Sequence, residues 1–323
     1  MGTDTETAEL EAQPLVEPAT FAMPLASDQG LFDEVDEYFE AGARVEPGDV
    51  VVDAGANVGA FAIRVAERTA GRVTIHCIEP APAMFAKLEE NIATHPALRR
   101  ATTTTSCLAL TRPERAGEER PFYFFERIPT NGTYDLADKR AEYEAYFFGK
   151  AARLEAVLAA TIPIVGALLG RIARHVIEVA CRRQNRLGTW IADRATGLRV
   201  LTCKTESLER WADAMGVTDI DLLKIDVEGA ELDVLLGCAS KWPMIKSVAL
   251  EAHDRGGRVA AIETLLRARG FPWIRRLKPK ITESTGLDNV ILVAHRARPN
   301  AGAGERSADG ALRVQRATSE VSS

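Results

Sequence analysis

Short apolar runs alternate with amphipathic stretches along most of this chain. Apolar runs bounded by turn residues occur near 51–54, 73–78, 220–226 and 247–254. Runs of this length are typical of strands that are buried on both faces of a sheet. Because segments of helical period separate them, the pattern predicts an α/β protein with a mostly parallel, doubly wound sheet.

The remaining segments complete this α/β pattern. Helices are predicted within 21–46, from Gly59 to about Ala70, and over 82–94, 205–215 and 259–269, where apolar residues recur every three or four positions. Further strands are predicted near 104–110, 120–126, 198–203, 273–277 and 290–294. The spacing of the last two strands suits an antiparallel hairpin that closes the sheet.

The regular pattern fails in three segments. Residues 1–20 and 296–323 have no apolar periodicity, so we expect a disordered leader and a disordered tail around one domain that spans 21–295. The third segment, about 135–196, has a helical period throughout and predicts a helical insertion in that domain. Its longest apolar run, of roughly 15 residues, is shorter than the roughly 20 residues that cross a bilayer.

The insertion is also basic. Residues 139–199 contain eleven Lys or Arg and five Asp or Glu, a local charge of +6 in a chain whose net charge is −6. Such a helical segment covers the sheet or forms a homodimer contact. A substrate lid and a peripheral contact with membrane lipid are the alternatives.

Composition narrows the function classes only slightly. The acidic balance argues against a nucleic-acid partner, which would require a clustered basic surface. The five cysteines are scattered without a Cys-x-x-Cys pair, so neither a zinc site nor a disulfide framework is indicated. The acidic amino terminus lacks the basic start and apolar core of a signal peptide, and a cytoplasmic location is therefore expected.

Candidate chemistry begins at the turn after the first strand, which reads Asp53-Ala54-Gly55-Ala56-Asn57-Val58-Gly59. Small residues between a strand and a helix let the backbone approach a ligand closely. A dinucleotide fingerprint requires glycine at the third and sixth positions, where this chain has Asn57 and Ala60. The carboxylate of Asp53 would repel a pyrophosphate and attract the amino group and sulfonium of S-adenosylmethionine. The predicted cofactor is therefore S-adenosylmethionine, with Asp53, Gly55, Asn57 and Gly59 in its site.

Two further segments extend the predicted cofactor site. Glu79 ends the second strand 20 residues beyond Gly59, where an acidic side chain can bind both ribose hydroxyls. The next predicted strand, near 104–110, brings Cys107 and Leu108 to the position where adenine rests in a doubly wound sheet.

Candidate catalytic residues follow two later strands. Asp226 and Glu228 end the strand near 220–226, and His253 ends the strand near 247–254. At the carboxyl edge of the sheet they would face the methyl group and its acceptor. Asp226 or His253 would be the proton acceptor. In an alternative, Asp226, Glu228, Glu251 and His253 hold a divalent cation that lowers the pKa of the acceptor hydroxyl.

The motifs Val52-Asp53-Ala54-Gly55-Ala56-Asn57-Val58-Gly59 and Leu223-Lys224-Ile225-Asp226-Val227-Glu228-Gly229-Ala230-Glu231 resemble those of the FkbM family of S-adenosylmethionine-dependent methyltransferases. The resemblance covers about 45–130 and 198–295. It implies a class I methyltransferase (Rossmann-like) fold, whose seven-stranded sheet has one antiparallel strand. It also implies methyl transfer to oxygen, commonly on a sugar or secondary metabolite, with the first motif and Glu79 at the cofactor and Asp226 and Glu228 at the reaction centre.

The expected reaction is a direct in-line displacement, in which a hydroxyl of a small-molecule acceptor attacks the sulfonium methyl. The chain would then supply alignment and a proton acceptor. The absence of an Asn/Asp-Pro-Pro-Tyr or Pro-Cys site after a core strand disfavours methylation of nucleic acid. A non-catalytic binding protein on a methyltransferase scaffold is the alternative outside catalysis.

Overall fold

The computed structural model describes residues 29–126, 197–280 and 288–298, together with residues 132–134, 136, 137, 139, 140, 194 and 282. The predicted leader at 1–20, most of the predicted tail at 296–323 and most of the predicted insertion at 135–196 lie outside these residues. Within the described part of the chain, no helix is long and apolar enough to cross a membrane.

The helices and strands follow the predicted alternation. The helices are α1 (Gln29–Glu40), α2 (Ala60–Arg68), α3 (Pro82–Thr94), α4 (Leu208–Met215), α5 (Glu231–Leu236) and α6 (Arg258–Ala268). The strands are β1 (Val50–Ala54), β2 (Thr74–Ile78), β3 (Thr102–Ser106), β4 (Ala109–Leu110), β5 (Glu119–Phe125), β6 (Leu198–Glu206), β7 (Ile220–Ile225), β8 (Ile245–His253), β9 (Trp273–Leu277) and β10 (Asn289–His295).

Seven of these strands form the central sheet, in the order β3-β2-β1-β7-β8-β10-β9. Strand β1 pairs in parallel with both β2 and β7, and β10 runs antiparallel to both β8 and β9. This arrangement is the class I methyltransferase fold that the sequence predicts. The strand order reverses between β1 and β7, and ligands of such sheets bind at this point, beyond the carboxyl ends of the strands.

Both faces of the sheet are buried, which explains why its strands read as continuous apolar runs. Val52 and Ile225 belong to the core on one face, together with α4, α5 and α6. Val51 and Leu222 belong to the core on the other face, where α1 and α2 pack. Helix α1 therefore lies on the same side of the sheet as Val51 of β1, the strand that leads into the glycine turn.

The predicted single strand near 104–110 is wrong. The chain leaves the central sheet after Ser106, and Ala109 and Leu110 pair instead with Thr205 and Glu206 of β6. Most of residues 102–110 are extended and share one local sequence pattern. They nevertheless pair with two different strands, β2 and β6, and the local pattern does not indicate which strand each residue pairs with.

Strands β4, β6 and β5 form a separate three-stranded sheet. Its apolar face carries Phe122, Phe124 and Cys203, which pack against Val58 of the glycine turn and Met84 of α3. The predicted strands near 120–126 and 198–203 are confirmed. They belong to this second sheet, which covers one side of the predicted cofactor site.

Candidate active site

The turn after β1 is clamped between its two neighbouring strands. Both Gly55 and Ala56 donate their backbone N–H groups to the carbonyl oxygen of Ile78, at 2.9 and 3.0 Å. A Cβ atom on Gly55 would lie 1.8 Å from the backbone oxygen of Asp226, and Gly55 has a φ of 78°. Only glycine satisfies both conditions, so this residue lets the ends of β1 and β7 come together.

Glu79 connects the end of β2 to the same turn. Its Oε2 accepts a hydrogen bond from the backbone N–H of Asn57, and its Oε1 accepts one from Ala81, both at 2.8 Å. Burial raises the pKa of Glu79 to about 7, although these hydrogen bonds oppose the shift. The two hydrogen bonds fix the carboxylate against the backbone of Asn57 and Ala81.

A buried ion pair joins β1 and β7 beneath the turn. Asp53 and Lys224 are neighbours in the sheet register, and Asp53 Oδ1 lies 3.0 Å from Lys224 Nζ. The ammonium also donates to the carbonyl oxygen of Gly55 at 2.8 Å and lies 3.7 Å from Asp226 Oδ2. Burial lowers the pKa of Lys224, but the charges of Asp53 and Asp226 raise it by more. Lys224 is therefore a permanent cation at the centre of the site.

Asp226 and Glu251 form the acidic part of the crevice. The Asp226 side chain is 34% exposed, whereas Asp53 is fully buried. Burial raises the pKa of Asp226, and Lys224 opposes that shift. Glu251 accepts a hydrogen bond from Asn289 Nδ2 at 2.8 Å, and burial together with the Asp226 charge raises the pKa of Glu251 to about 8.

Glu228 is held by cations from two directions. Its Oε2 lies 2.6 Å from Lys139 Nζ and 3.2 Å from His253 Nε2. Burial would raise the pKa of Glu228, but these two partners lower it to about 2. The backbone oxygen of Glu228 also accepts a hydrogen bond from Thr133 Oγ1 at 2.9 Å.

His253 stands between two carboxylates. Its Nδ1 lies 3.3 Å from Glu231 Oε1, and its Nε2 faces Glu228. Burial lowers the pKa of His253, but the two carboxylates raise it well above its usual value. The imidazole is thus protonated near neutral pH and has no free lone pair. Of the two proton acceptors predicted from the sequence, this arrangement favours Asp226.

The structure brings the predicted site residues together at one edge of the sheet. Asp53, Gly55, Asn57, Gly59 and Glu79 surround the turn after β1. Asp226, Glu228 and His253 follow β7 and β8 on the adjoining side. Cys107 and Leu108 lie between β3 and β4, where Cys107 is exposed and Leu108 packs against the core.

Two residues with contacts in this site were not among the predicted site residues. Lys224 lies within an apolar strand, where a buried charge is itself a signal of a built ion pair. Lys139 of the predicted insertion has no comparable local signal, because only the tertiary fold brings it to the site.

The predicted alternative metal site is not assembled among the described residues. No group of three or more His, Cys, Asp or Glu side chains in that part of the chain is arranged to hold a metal ion. Glu228 and His253 bind each other, and Glu251 binds Asn289.

Unpartnered polar atoms indicate what the crevice accommodates. Both Asp53 carboxylate oxygens and Asn57 Oδ1 are buried without a hydrogen bond of standard geometry among the residues that the structure describes, although Asp53 keeps its ion pair with Lys224. Two acidic groups, Asp53 and Glu79, therefore flank a turn in which a Cβ atom at Gly55 would clash with the backbone oxygen of Asp226. A nucleoside that carries both an ammonium group and hydroxyl groups fits these hydrogen-bond acceptors.

The family model for the methyltransferase FkbM domain matches residues 53–273, about two thirds of the chain. This chain belongs to the FkbM methyltransferase family. The family confirms the resemblance found in the two motifs, and this FkbM protein is an S-adenosylmethionine-dependent methyltransferase.

Two curated relatives agree with this membership. The chain is 30% identical over 246 residues to 31-O-demethyl-FK506 methyltransferase FkbM of Streptomyces tacrolimicus, covering 75% of this chain and 80% of that protein. It is 29% identical to methyltransferase sdnD of Sordaria araneosa, covering 71% and 76%. A precorrin-6y C5,15-methyltransferase structure from Geobacter metallireducens aligns at 12% identity and a TM-score of 0.39, covering 86% and 94%.

Proposed function

We propose that this FkbM protein transfers the methyl group of S-adenosylmethionine to a hydroxyl oxygen of a small molecule, such as a sugar or secondary metabolite. The observation that carries the proposal is Asp226, a partly exposed carboxylate at the switch point of the sheet. A hydroxyl must lose a proton when it is methylated, and in this proposal Asp226 receives that proton. The relative named for 31-O-demethyl-FK506 supports oxygen as the target.

The residues around the turn after β1 would hold the cofactor. The Asp53 carboxylate, which is also paired with Lys224, would attract its cationic methionine end, and Glu79 would accept hydrogen bonds from its ribose hydroxyls. When bound, S-adenosylmethionine would supply a methyl group on a sulfonium: the acceptor oxygen would bond to the methyl carbon as the carbon–sulfur bond breaks in line, leaving S-adenosylhomocysteine, and Asp226 would take the hydroxyl proton. Binding both molecules at one edge of the sheet aligns them for this displacement.

The charges near Asp226 suit it to the role of proton acceptor. Burial raises its pKa toward the range in which a carboxylate accepts a proton, while Lys224 favours the ionised form. Glu228 is a weaker base because Lys139 and His253 lower its pKa to about 2. Glu228 would then shape the acceptor side of the site, and Asp226 would take the proton.

The test uses the full-length protein, titrated calorimetrically with S-adenosylmethionine and then incubated with labelled cofactor and candidate hydroxyl acceptors. Asp226→Asn should retain cofactor affinity within about threefold and lose methyl transfer by about 10²-fold or more, because general-base catalysis contributes this much. Asp221→Asn is the matched control, since Asp221 lies in the same strand but binds Lys246 and the backbone N–H of Val50 at the opposite end.

Product analysis decides between the possible targets. A methoxy signal from the ¹³C-labelled methyl group supports the proposal, and a methyl group on nitrogen, sulfur or carbon overturns it. If the wild type bound no cofactor, the non-catalytic alternative would replace the proposal. Peripheral lipid contact through 139–196, a homodimer and a cytoplasmic location stay predictions from the sequence.

A further inference from the structure

The loop after β7 contains a strained backbone. Residues 226–230 connect the end of β7 to α5, and within them Glu228 has a φ of 50° and Gly229 a φ of 101°. A left-handed backbone costs little at glycine but is unfavourable for a residue with a Cβ atom. Glu228 therefore keeps this conformation only where contacts from other elements hold it.

The segment between β5 and β6 holds one side of Glu228. Lys139 Nζ lies 2.6 Å from Glu228 Oε2, and Thr133 Oγ1 donates to the Glu228 backbone oxygen at 2.9 Å. One contact fixes the side chain of Glu228 and the other fixes its peptide group.

His253 of β8 holds the other side and joins the loop to α5. Its Nε2 lies 3.2 Å from Glu228 Oε2, and its Nδ1 lies 3.3 Å from Glu231 Oε1. The same Glu231 oxygen accepts a hydrogen bond from the backbone N–H of Gly229 at 2.6 Å. Both His253 and Glu231 are buried. One imidazole thus connects the carboxylate of the strained residue to the group that binds the next peptide.

The charges around His253 suit a ring that is protonated. Both ring nitrogens face carboxylate oxygens, so the ring can donate at both positions only as an imidazolium. Arg258 of α6 lies 3.8 Å from Glu231 Oε2 and 3.5 Å from the backbone oxygen of His253. The charges of Asp226 and Glu251 also interact with the ring. The ring is therefore arranged to donate two hydrogen bonds and not to accept a proton.

We propose that His253 is a positioning residue whose ring joins Glu228 to Glu231 and holds the loop 226–230 in the conformation that the acceptor meets. The proposal rests on the proposed function, in which Asp226 at the start of this loop takes the acceptor proton and Glu228 lies on the acceptor side. Loss of the ring should release the loop and leave the cofactor turn after β1 in place.

The direct test is hydrogen exchange of the Gly229 amide, followed by NMR in the full-length protein. In His253→Gln the side-chain amide can donate to one carboxylate but presents its oxygen to the other. Exchange at Gly229 should become about tenfold faster or more, because local opening sets the rate. His76→Gln is the matched control, since His76 is also buried in the central sheet but contacts Thr104 Oγ1.

The pattern of exchange separates positioning from general stability. Unchanged exchange at Gly229 in His253→Gln would overturn the proposal. Equal acceleration throughout the sheet, or the same acceleration at Gly229 in His76→Gln, would also overturn it, because either result means a merely structural role. Exchange is measured without cofactor or acceptor, so its result is separate from any failure of methyl transfer to oxygen.

Kinetics give a second readout once an acceptor is identified. His253→Gln should raise the KM for the acceptor by about tenfold or more and keep cofactor affinity within about threefold. Weaker cofactor binding with an unchanged acceptor KM would place His253 on the cofactor side and contradict the proposal.

A further measurement on the wild type applies even if His253→Gln does not fold. With ¹⁵N-labelled histidine, the five histidine rings can be followed by NMR, and the ring of His253 is assigned through its contacts with Ala252. Both of its nitrogens should carry protons at pH 7, as two donated hydrogen bonds require. A neutral ring at this pH would contradict the proposal.

Discussion

Neighbouring groups give three glutamates in this site different protonation behaviour. Burial raises the pKa of Glu79 to about 7 and that of Glu251 to about 8. Glu228 is also buried, but Lys139 and His253 lower its pKa to about 2. Near neutral pH, Glu228 is therefore a fixed anion, whereas Glu79 and Glu251 are poised to change charge.

Glu79 should make cofactor binding depend on pH. Its ionised carboxylate offers more acceptor capacity to ribose hydroxyls, so affinity should weaken as pH falls through about 7. In Glu79→Gln an amide NH₂ must face the backbone N–H of Asn57 or Ala81, and affinity should fall by about tenfold or more, roughly 1.4 kcal/mol. Calorimetry between pH 6 and 8 measures both effects.

The matched control for this change is Glu89→Gln. Glu89 lies on α3, outside the glycine turn, and accepts a 3.4 Å hydrogen bond from Thr105 Oγ1. Its replacement should change affinity by less than about twofold, within the usual range for surface sites. Equal losses in the two variants would rule out a specific role for Glu79.

Glu251 should make folding stability depend on pH. Its carboxyl group keeps its proton to about pH 8 when folded, whereas the ordinary value is 4.5. The folded state then binds more protons than the unfolded state between pH 4.5 and 8, so stability falls as pH rises through this window. Relative to Glu251→Gln, the wild type should lose on the order of 1 kcal/mol in urea unfolding between pH 5 and 9.

Glu263→Gln provides the comparison for Glu251. A hydrogen bond from Arg276 lowers the pKa of Glu263, so its charge stays constant from pH 5 to 9. The stability difference between this variant and the wild type should be flat over that range. A flat difference for Glu251→Gln as well would show that Glu251 ionises normally in the folded protein.

Among elements, the turn between β1 and α2 depends most strictly on glycine. Gly55→Ala would place a Cβ atom 1.8 Å from the backbone oxygen of Asp226, at a φ of 78°. Relief requires β1 and β7 to separate, and we expect a loss of about 4 kcal/mol or more in unfolding free energy. Gly48→Ala is the control, because Gly48 has a φ of 104° but no atom within 4 Å.

The control should lose only about 1–2 kcal/mol, the cost of the left-handed backbone for alanine. Denaturant unfolding compares the two variants. A Gly55→Ala protein as stable as Gly48→Ala would mean that the turn relaxes without disturbing the end of β7.

Lys139 links the predicted insertion to the loop after β7. In Lys139→Met, Glu228 keeps His253 but loses a buried ammonium at 2.6 Å, and stability should fall by about 1.5–3 kcal/mol. Lys246→Met removes an exposed partner of Asp221 and should cost less than about 1 kcal/mol. Urea unfolding distinguishes them, and similar losses would mean that the Lys139–Glu228 pair acts as a surface pair.

The local sequence pattern predicted most helices and strands, but it did not predict which strands pair with each other. Buried apolar runs and the Pro82 helix start locate β1, β2, β7 and α3, because both faces of the sheet are covered. The split of 104–110 between two sheets depends on long-range pairing with β6, which no local period records. Lys139 reaches the site in the same way, through tertiary packing.

At the scale of the whole molecule, the sequence predicted residues for the proposed cofactor half of the site because one strand order brings them together. Asp53 lies near the end of β1, and Glu79 and Asp226 follow β2 and β7, whose carboxyl ends meet that of β1 at the switch point. No such rule predicts the residues of the proposed acceptor half. Thr133 and Lys139 contact Glu228 from segments between β5 and β6, whose position depends on contacts distant in sequence.

This division predicts that cofactor binding and acceptor recognition can be separated. Replacement of residues 141–193 by a Gly-Ser linker retains Thr133, Lys139 and every residue argued above to hold the cofactor. Cofactor affinity should stay within about threefold of the wild type, since each threefold change is only about 0.7 kcal/mol. Methylation of the native acceptor, detected with labelled cofactor in cell extract, should be lost, because insertions beside the carboxyl edge of a sheet shape the acceptor pocket. A control that replaces residues 299–323 should leave both measurements unchanged. If the 141–193 variant still methylated the same species, acceptor recognition would reside in the described residues, with Asp226, Glu251 and Asn289 as the first positions to substitute.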